Sequence, residues 1–264
     1  MPTWNADQYL RFADERTQPS RDLAWRIAVP SPHRIVDLGC GPGNSTAVLA
    51  ERWPDADIEG IDSSPAMIAA ARRDYPEWRW PNQRWTVGDV SAWAGNEGQQ
   101  FDLVFSNATL QWVPDHESLY PALLRRVVAG GALAIQVPFN LEAPAQTIMR
   151  TLASSPAWAS LLPAGGVRAW HVHDEGFYYD ILARQAARLE IWITEYLHIM
   201  DGPAAIVAWY QGTGMRPFLD ALPTDDDRAR FMAEYGERIA EAYTARQDGR
   251  VLFPFRRMFI IAYR

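Results

Sequence analysis

Within Ile35-Val36-Asp37-Leu38-Gly39-Cys40-Gly41-Pro42-Gly43-Asn44, one carboxylate stands directly ahead of three alternate glycines. Alternate glycines let a backbone turn sharply and approach a ligand that side chains would hold off. The N–H groups of a helix opening there would face the same point. Asp37 can accept from a ligand ammonium group. Further along, Asp62 closes a second apolar run and offers two acceptor oxygens to a pair of ribose hydroxyls. Asp89, after Gly88, closes a third and can accept from an adenine amino group. Asn107 closes a fourth, where an amino-acid tail would run. A dinucleotide site would want its third glycine one residue later, at the position of Asn44, and a pyrophosphate gives no reason for an anion at 37. The pattern therefore suits an adenosine ligand that carries an ammonium group.

Placing four such groups in one crevice requires parallel strands with their carboxyl ends together. The segments HRIVDLG, DADIEGID, QRWTVGD, FDLVFSN and GALAIQVP read as buried strands, and Asn44–Trp53, Pro65–Asp74 and Glu117–Val128 as the helices between them. Strands alternating with helices make βαβ units and a parallel sheet. Ser64 before Pro65 is a serine cap with proline at the first helical position. Beyond Pro138, Leu141–Leu152 and Phe177–Gln185 read as helices, and the Pro-, Gly- and Ala-rich stretch from Ser154 to Glu175 as a lid or cap loop. Leu189–Ile199 and Phe255–Tyr263 are the last two of seven strands. Thr224 caps a helix with Asp225, Asp226 and Asp227 in its first turn, where the helix dipole favours them. Its apolar face is Phe231, Met232, Tyr235, Ile239 and Ala242. The expectation is a single α/β domain, doubly wound. Its core spans about 30–140 plus 188–199 and 255–263, and its helical cap about 1–28, 141–186 and 203–247.

With 264 residues, 48% of them hydrophobic, the chain can bury a sizeable core, and its net charge of −7 disfavours a nucleic-acid partner. Neither a signal peptide nor a membrane-spanning run is read from the sequence. The single cysteine, Cys40, fits a reducing cytoplasm, and a monomer or homodimer is expected.

VDLGCGPGN, IDSSPAM and GDV resemble the motifs of class I methyltransferases, a Rossmann-like fold that uses S-adenosylmethionine and releases S-adenosylhomocysteine. That resemblance covers about the first 140 residues. It implies cofactor contacts at Asp37, Gly39, Cys40, Gly41, Gly43, Asn44, Asp62, Ser63, Met67, Asp89, Val90, Asn107, Ala108 and Gln111. WNADQYLRFADERTQP, GPGNSTAVL, RWPDADIEGIDSSPAMI, NATLQWVPDH and GTGMRPFL look like the bacterial trans-aconitate 2-methyltransferases, over most of the chain but loosely between Ser154 and Gly176. For that family the reaction is esterification of one carboxylate to a monomethyl ester.

A carboxylate is ionised at neutral pH, so its methylation needs alignment and no general base. No catalytic side chain and no metal are expected, and the pair His171 and His173 lacks a third ligand nearby. A small tricarboxylate calls for arginine forks. Arg16 lies in a segment resembling a flap over the site, and Arg216 in GTGMRPF. Tyr9, Tyr178 and Tyr179 can add hydroxyls and Trp112 an apolar wall, with Arg11 and Arg256 in reserve. A methyltransferase for another small or carrier-bound acid would share every cofactor residue and differ in the cap. The intact cofactor set argues against a non-enzymatic binding protein.

Overall fold

The computed structural model describes residues 13–96, 98–163, 167 and 170–264. Contacts divide the chain into two compact units. The core unit comprises Ala13–Pro138, Trp170–Thr194 and Met258–Arg264, and the second unit contains Phe139–Ala169 and Glu195–Arg257. Two stretches expected in the cap, Ala13 onward and Trp170 onward, thus group with the core.

In chain order the strands are β1 (Arg34–Leu38), β2 (Asp57–Asp62), β3 (Gln83–Val87), β4 (Phe101–Asn107), β5 (Val127–Pro138), β6 (Arg188–Met200) and β7 (Val251–Tyr263). They form one seven-stranded sheet in the order β3-β2-β1-β4-β5-β7-β6. The first five pair in parallel. The last strand runs against β5: Gly130 N–H donates to the Arg264 carbonyl at 2.6 Å, and Phe139 N–H to the Arg256 carbonyl at 2.8 Å. This is the doubly wound, mostly parallel α/β fold. The order of strands reverses between β1 and β4, which is where such sheets open a crevice.

Helices α1 (Ala13–Arg26) and α2 (Asn44–Arg52) pack together, with α1 also on β5. The helix α3 (Pro65–Asp74) is capped by Ser64, whose Oγ accepts from Met67 N–H at 3.4 Å. Asp89 starts a short helix, α4 (Val90–Gly95), by accepting from Ala92 N–H at 3.0 Å. Next comes α5 (His116–Arg125), which packs on α4 and on a later core helix, Glu175–Leu182. The sequence ran α5 on to Val128. In the structure Val127 already belongs to the sheet, fully buried, and a register shift between Phe101 and Leu103 fits the longer β5 beside β4.

The second unit is helical apart from the continuations of β6 and β7. Its helices are α6 (Pro144–Ala153), α7 (Pro156–Ala159), α9 (Pro203–Gln211), α10 (Arg216–Ala221) and α11 (Asp225–Ala242), the core helix Glu175–Leu182 being α8. Within the stretch expected as a loop after Ser154, Pro156–Ala159 is helical. Trp158 on α7 is buried edge-on against Phe231, and its Nε1 donates to Glu234 at 3.0 Å. On α11, Phe231, Tyr235 and Ile239 are buried as the periodicity requires, but Ala242 is exposed and Tyr243 takes the inward place. β7 begins at Val251, four residues before the expected start, with Val251, Phe253, Phe255 and Arg257 inward. Pro254, on the exposed side of that alternation, disguised the strand. No helix among the described residues is long and apolar enough to cross a membrane.

Gly60, in the middle of β2, pairs with Asp37 on one side and Trp85 on the other. The Trp85 indole lies across it, in a cluster with Cys40, Ile68 and Ala71. A Cβ at Gly60 would meet that ring at 2.6 Å and the Cys40 Sγ at 3.0 Å. Gly60→Ala is therefore expected to destabilise the core by about 1–3 kcal/mol. In urea unfolding the midpoint should fall with an unchanged slope, and a variant as stable as the parent would contradict this packing.

Candidate active site

At the carboxyl end of β1, Asp37 is fully buried. Its Oδ2 accepts from Ser45 Oγ and from Thr46 Oγ1, both at 2.6 Å, which ties the strand to the first turn of α2. Burial, only partly offset by those two hydroxyls, pushes its carboxyl up to about 6. Its Oδ1 is buried without a hydrogen-bond partner among the described residues.

Between strand and helix the glycines take the left-handed conformation, with φ of 73° at Gly39, 55° at Gly41 and 100° at Gly43. A Cβ at Gly39 would collide with Thr109, and one at Gly43 with Tyr75 and Trp85, whereas above Gly41 nothing lies within 4 Å. Gly41 thus opens onto free space. Asn44, part-buried, is the first residue of α2.

Asp62 supports this loop from the next strand. One oxygen accepts from Gly41 N–H at 3.0 Å and the other from Ser64 N–H at 2.8 Å. Each oxygen keeps lone-pair capacity for a ligand hydroxyl. Burial raises the Asp62 carboxyl above its ordinary value, the two backbone bonds opposing. Ser63 beside it is exposed, while Met67 and Val90 are buried on α3 and α4. Asp89 is exposed, and its cap bond uses only Oδ1.

Asn107 ends β4, its Oδ1 buried and without a partner among the described residues. Ala108 then turns at φ 53°, a conformation that L side chains seldom adopt. Gln111 holds this turn by donating from Nε2 to the Ala108 carbonyl at 2.7 Å, and its Oε1 is likewise buried and unpartnered. Three orphaned oxygens, Asp37 Oδ1, Asn107 Oδ1 and Gln111 Oε1, are ready acceptors in the core unit, where buried polar atoms are normally satisfied. Such a set fits a ligand rich in donors, as an ammonium group and ribose hydroxyls are.

Sequence reasoning passed over the residues that hold these groups still. Thr109 Oγ1 donates within reach of both the Gly39 and Asn107 carbonyls, at 3.1 and 3.2 Å. His116 binds the 110–112 turn from beneath. Its Nε2 donates to the Leu110 carbonyl at 2.9 Å, which leaves Nδ1 to accept from the Tyr178 hydroxyl at 2.9 Å. The Tyr178 oxygen in turn accepts from His173 N–H at 3.2 Å, and His171 N–H donates to the Gln111 carbonyl at 2.7 Å. Ser45, Thr46, Thr109 and His116 all lie inside GPGNSTAVL and NATLQWVPDH, so the stretches were visible although the individual roles were not.

Several expectations change. The Cys40 thiol packs with Trp85, its Sγ also donates to the Gly41 carbonyl at 3.6 Å, and burial raises its pKa. Tyr178 is completely buried with its hydroxyl committed to His116 and His173, a structural role in place of a substrate contact. Tyr179, one residue on, is 57% exposed on α8. Trp112 packs edge-on against Trp170. The two histidines support backbone, and the His173 ring stacks on Phe177 at 3.9 Å. Arg16 is buried in the core unit, and Arg216, in the second unit, pairs with Asp220 at 3.0 Å. Tyr9 and Arg11 lie outside the described residues.

Residues 35–131 match a family profile described as a methyltransferase domain. The fold resembles that of the YcgJ protein from Bacillus subtilis, with TM-score 0.60 and 15% identity over 94% of this chain and 99% of that one. It also resembles a Haemonchus contortus phosphoethanolamine N-methyltransferase solved with S-adenosyl-L-methionine, with TM-score 0.57 and 14% identity over 97% and 57%. In sequence the chain is 46% identical, over the whole of both chains, to a trans-aconitate 2-methyltransferase of Azoarcus sp. (strain BH72). It is 45% identical to one of Variovorax paradoxus, over 99% of this chain and 98% of the other. With a glycine loop and strand-end acceptors on a doubly wound sheet, and likeness of this extent along its full length, the chain belongs to the trans-aconitate 2-methyltransferase family of class I methyltransferases.

Proposed function

We propose that the chain binds S-adenosylmethionine in the core unit and esterifies one carboxylate of trans-aconitate to a monomethyl ester. One observation carries the cofactor half. Asp37, Asp62, Asp89 and Asn107 stand at the carboxyl ends of the adjacent strands β1, β2, β3 and β4, around a glycine loop that opens at Gly41. The relatives' names carry the substrate half.

When bound, S-adenosylmethionine supplies a methyl group on a sulfonium, which needs no further activation. The chain's residues then have three tasks. Asp37 Oδ1, Asn107 Oδ1 and Gln111 Oε1 would take the donors of the amino-acid end, Asp62 the ribose hydroxyls and Asp89 the adenine amine. Backbone at Gly39, Gly41 and Gly43 would accept close approach. The acid arrives already ionised, so no side chain must remove a proton, and rate comes from alignment and from exclusion of water. Arg16 and Arg216 remain candidates for its carboxylates, with Trp112 as an apolar wall. The reading includes a cytoplasmic monomer or homodimer without a nucleic-acid partner, which the charge of −7 and the single, buried cysteine support.

The decisive experiment offers purified protein and labelled cofactor a panel of di- and tricarboxylates. Base-labile methyl ester should form fastest with trans-aconitate. Preference for another acid would move the chain to the alternative substrate class, and no ester with any acid would defeat the reading. At the cofactor, Asp62→Ala removes a charged acceptor and should weaken S-adenosylhomocysteine binding by roughly 1.5–3 kcal/mol in calorimetry. Unchanged affinity would take Asp62 out of the site.

Asp37 sets the pH dependence. A ligand ammonium favours the ionised carboxylate, and without ligand that form is half-populated at about pH 6. Affinity for S-adenosylhomocysteine should therefore be flat above that pH and weaken below it. The fold responds with the opposite sign. The raised folded pKa means that stability falls as pH climbs from the unfolded value of 3.8 toward 6. Asp37→Asn should bind weakly at every pH, and a variant that keeps the parent's pH profile would assign the titration to another group.

A further inference from the structure

Among the described residues, only two that are not glycine take the left-handed backbone, Ala108 at φ 53° and Asp115 at φ 57°. They bracket the stretch that carries Gln111 and Trp112. Strain of this kind persists only where neighbours over-determine it, and it concentrates at sites of function. Asp115 has a local use, since its Oδ1 caps α5 by accepting from Ser118 N–H at 3.3 Å. Ala108 has no side chain to use in that way. Its conformation carries the chain from the end of β4 into the single turn Leu110–Trp112, on which Gln111 sits.

The turn is held from beneath by one buried ring. Val113 N–H donates to the Leu110 carbonyl at 2.9 Å, as the turn itself requires. His116, 1% exposed, brings a second donor to the same oxygen through Nε2, also at 2.9 Å. A side chain in this place must donate at one end and accept at the other, which a neutral imidazole does with a rigid ring. Its Nδ1 is fixed by the Tyr178 hydroxyl, and Tyr178 by His173 N–H. Tyr120 packs on both rings, at centroid distances of 4.7 Å to His116 and 4.8 Å to Tyr178. Neither ring can swing without displacing it. His171 N–H then secures the Gln111 carbonyl, and Gln111 Nε2 the Ala108 carbonyl. At the end of these bonds two buried acceptors, Gln111 Oε1 and Asn107 Oδ1, have no partner among the described residues.

We propose that His116, held by Tyr178, is a positioning residue for cofactor binding. Acting through the Leu110 carbonyl, it fixes the Gln111 and Asn107 acceptors that take the amino-acid end of S-adenosylmethionine. The proposal rests on the cofactor reading above. His116 touches no ligand and moves no proton. Its influence is selective, because Asp62 and Asp89, which take the adenosine half, stand on other strands and are held by bonds that do not involve this turn.

The test compares S-adenosylhomocysteine with methylthioadenosine, which lacks the amino-acid end, by calorimetry. Tyr178→Phe should weaken S-adenosylhomocysteine binding about 5-fold and His116→Leu about 20-fold, each with methylthioadenosine within about twofold of the parent. His116→Gln keeps a donor for Leu110 and should recover most of the loss. Parent-like affinity in both Tyr178→Phe and His116→Leu overturns the proposal. So does an equal loss for the two ligands, or a His116→Gln variant as weak as His116→Leu. Should His116→Leu fail to fold, Tyr178→Phe and His116→Gln decide, and equal losses for the two ligands in both overturn it. Where methylthioadenosine binds too weakly to titrate, a cycle with Gln111→Leu decides, since losses acting through one acceptor do not add and full additivity overturns the coupling. A parent that binds no S-adenosylhomocysteine defeats the cofactor reading itself and the proposal with it.

Discussion

A carboxylate taken fully out of water must either find donors or give up its charge, and Asp37 stands between those outcomes. Two hydroxyls reach one of its oxygens and nothing described reaches the other. The hydroxyls belong to Ser45 and Thr46, so the same bonds that make the burial tolerable also pin the start of α2 to the end of β1. The loop between them then has no freedom to relax, and its left-handed glycines are the geometry that closes the gap. Asp62 repeats the arrangement from β2 by holding Gly41 and Ser64. The crevice is thus shaped by acidic groups that are only half satisfied by protein, which prepares it for a cationic, hydroxyl-bearing ligand before any arrives.

On the other side of the switch point the wall is made differently. Ala108 is held in a strained turn by Gln111 and Thr109, and beneath them His116 and Tyr178 form a relay of hydrogen bonds in which every donor has one acceptor. Burial lowers the His116 pKa, which keeps the ring neutral and preserves that order of donors. The chemistry demands no proton transfer, and these ring nitrogens serve shape instead.

How much of this was legible depended on whether a residue's role follows from local spacing. The glycine loop, the strand-end acids and the Ser64 and Thr224 caps depend on neighbours a few positions away, and they appear in the structure where pattern placed them. Trp158 did not, because a Pro- and Ala-rich stretch hides an anchor whose partners, Phe231 and Glu234, come some seventy residues later. Tyr178 looked like a candidate for ligand contact because tyrosine suits either a pocket or a core, and only the position of His116 decides.

The sheet order carries a consequence for how the molecule is made. β7 lies between β5 and β6, although β6 precedes it in the chain by about fifty residues. During synthesis β6 emerges with no hydrogen-bonding neighbour, since the place next to β5 must stay vacant for a strand not yet translated. The intervening helices of the second unit can gather while that edge waits. Assembly of the core is therefore a late, long-range event, of the kind that slows folding and rewards a chaperone able to shield an open strand.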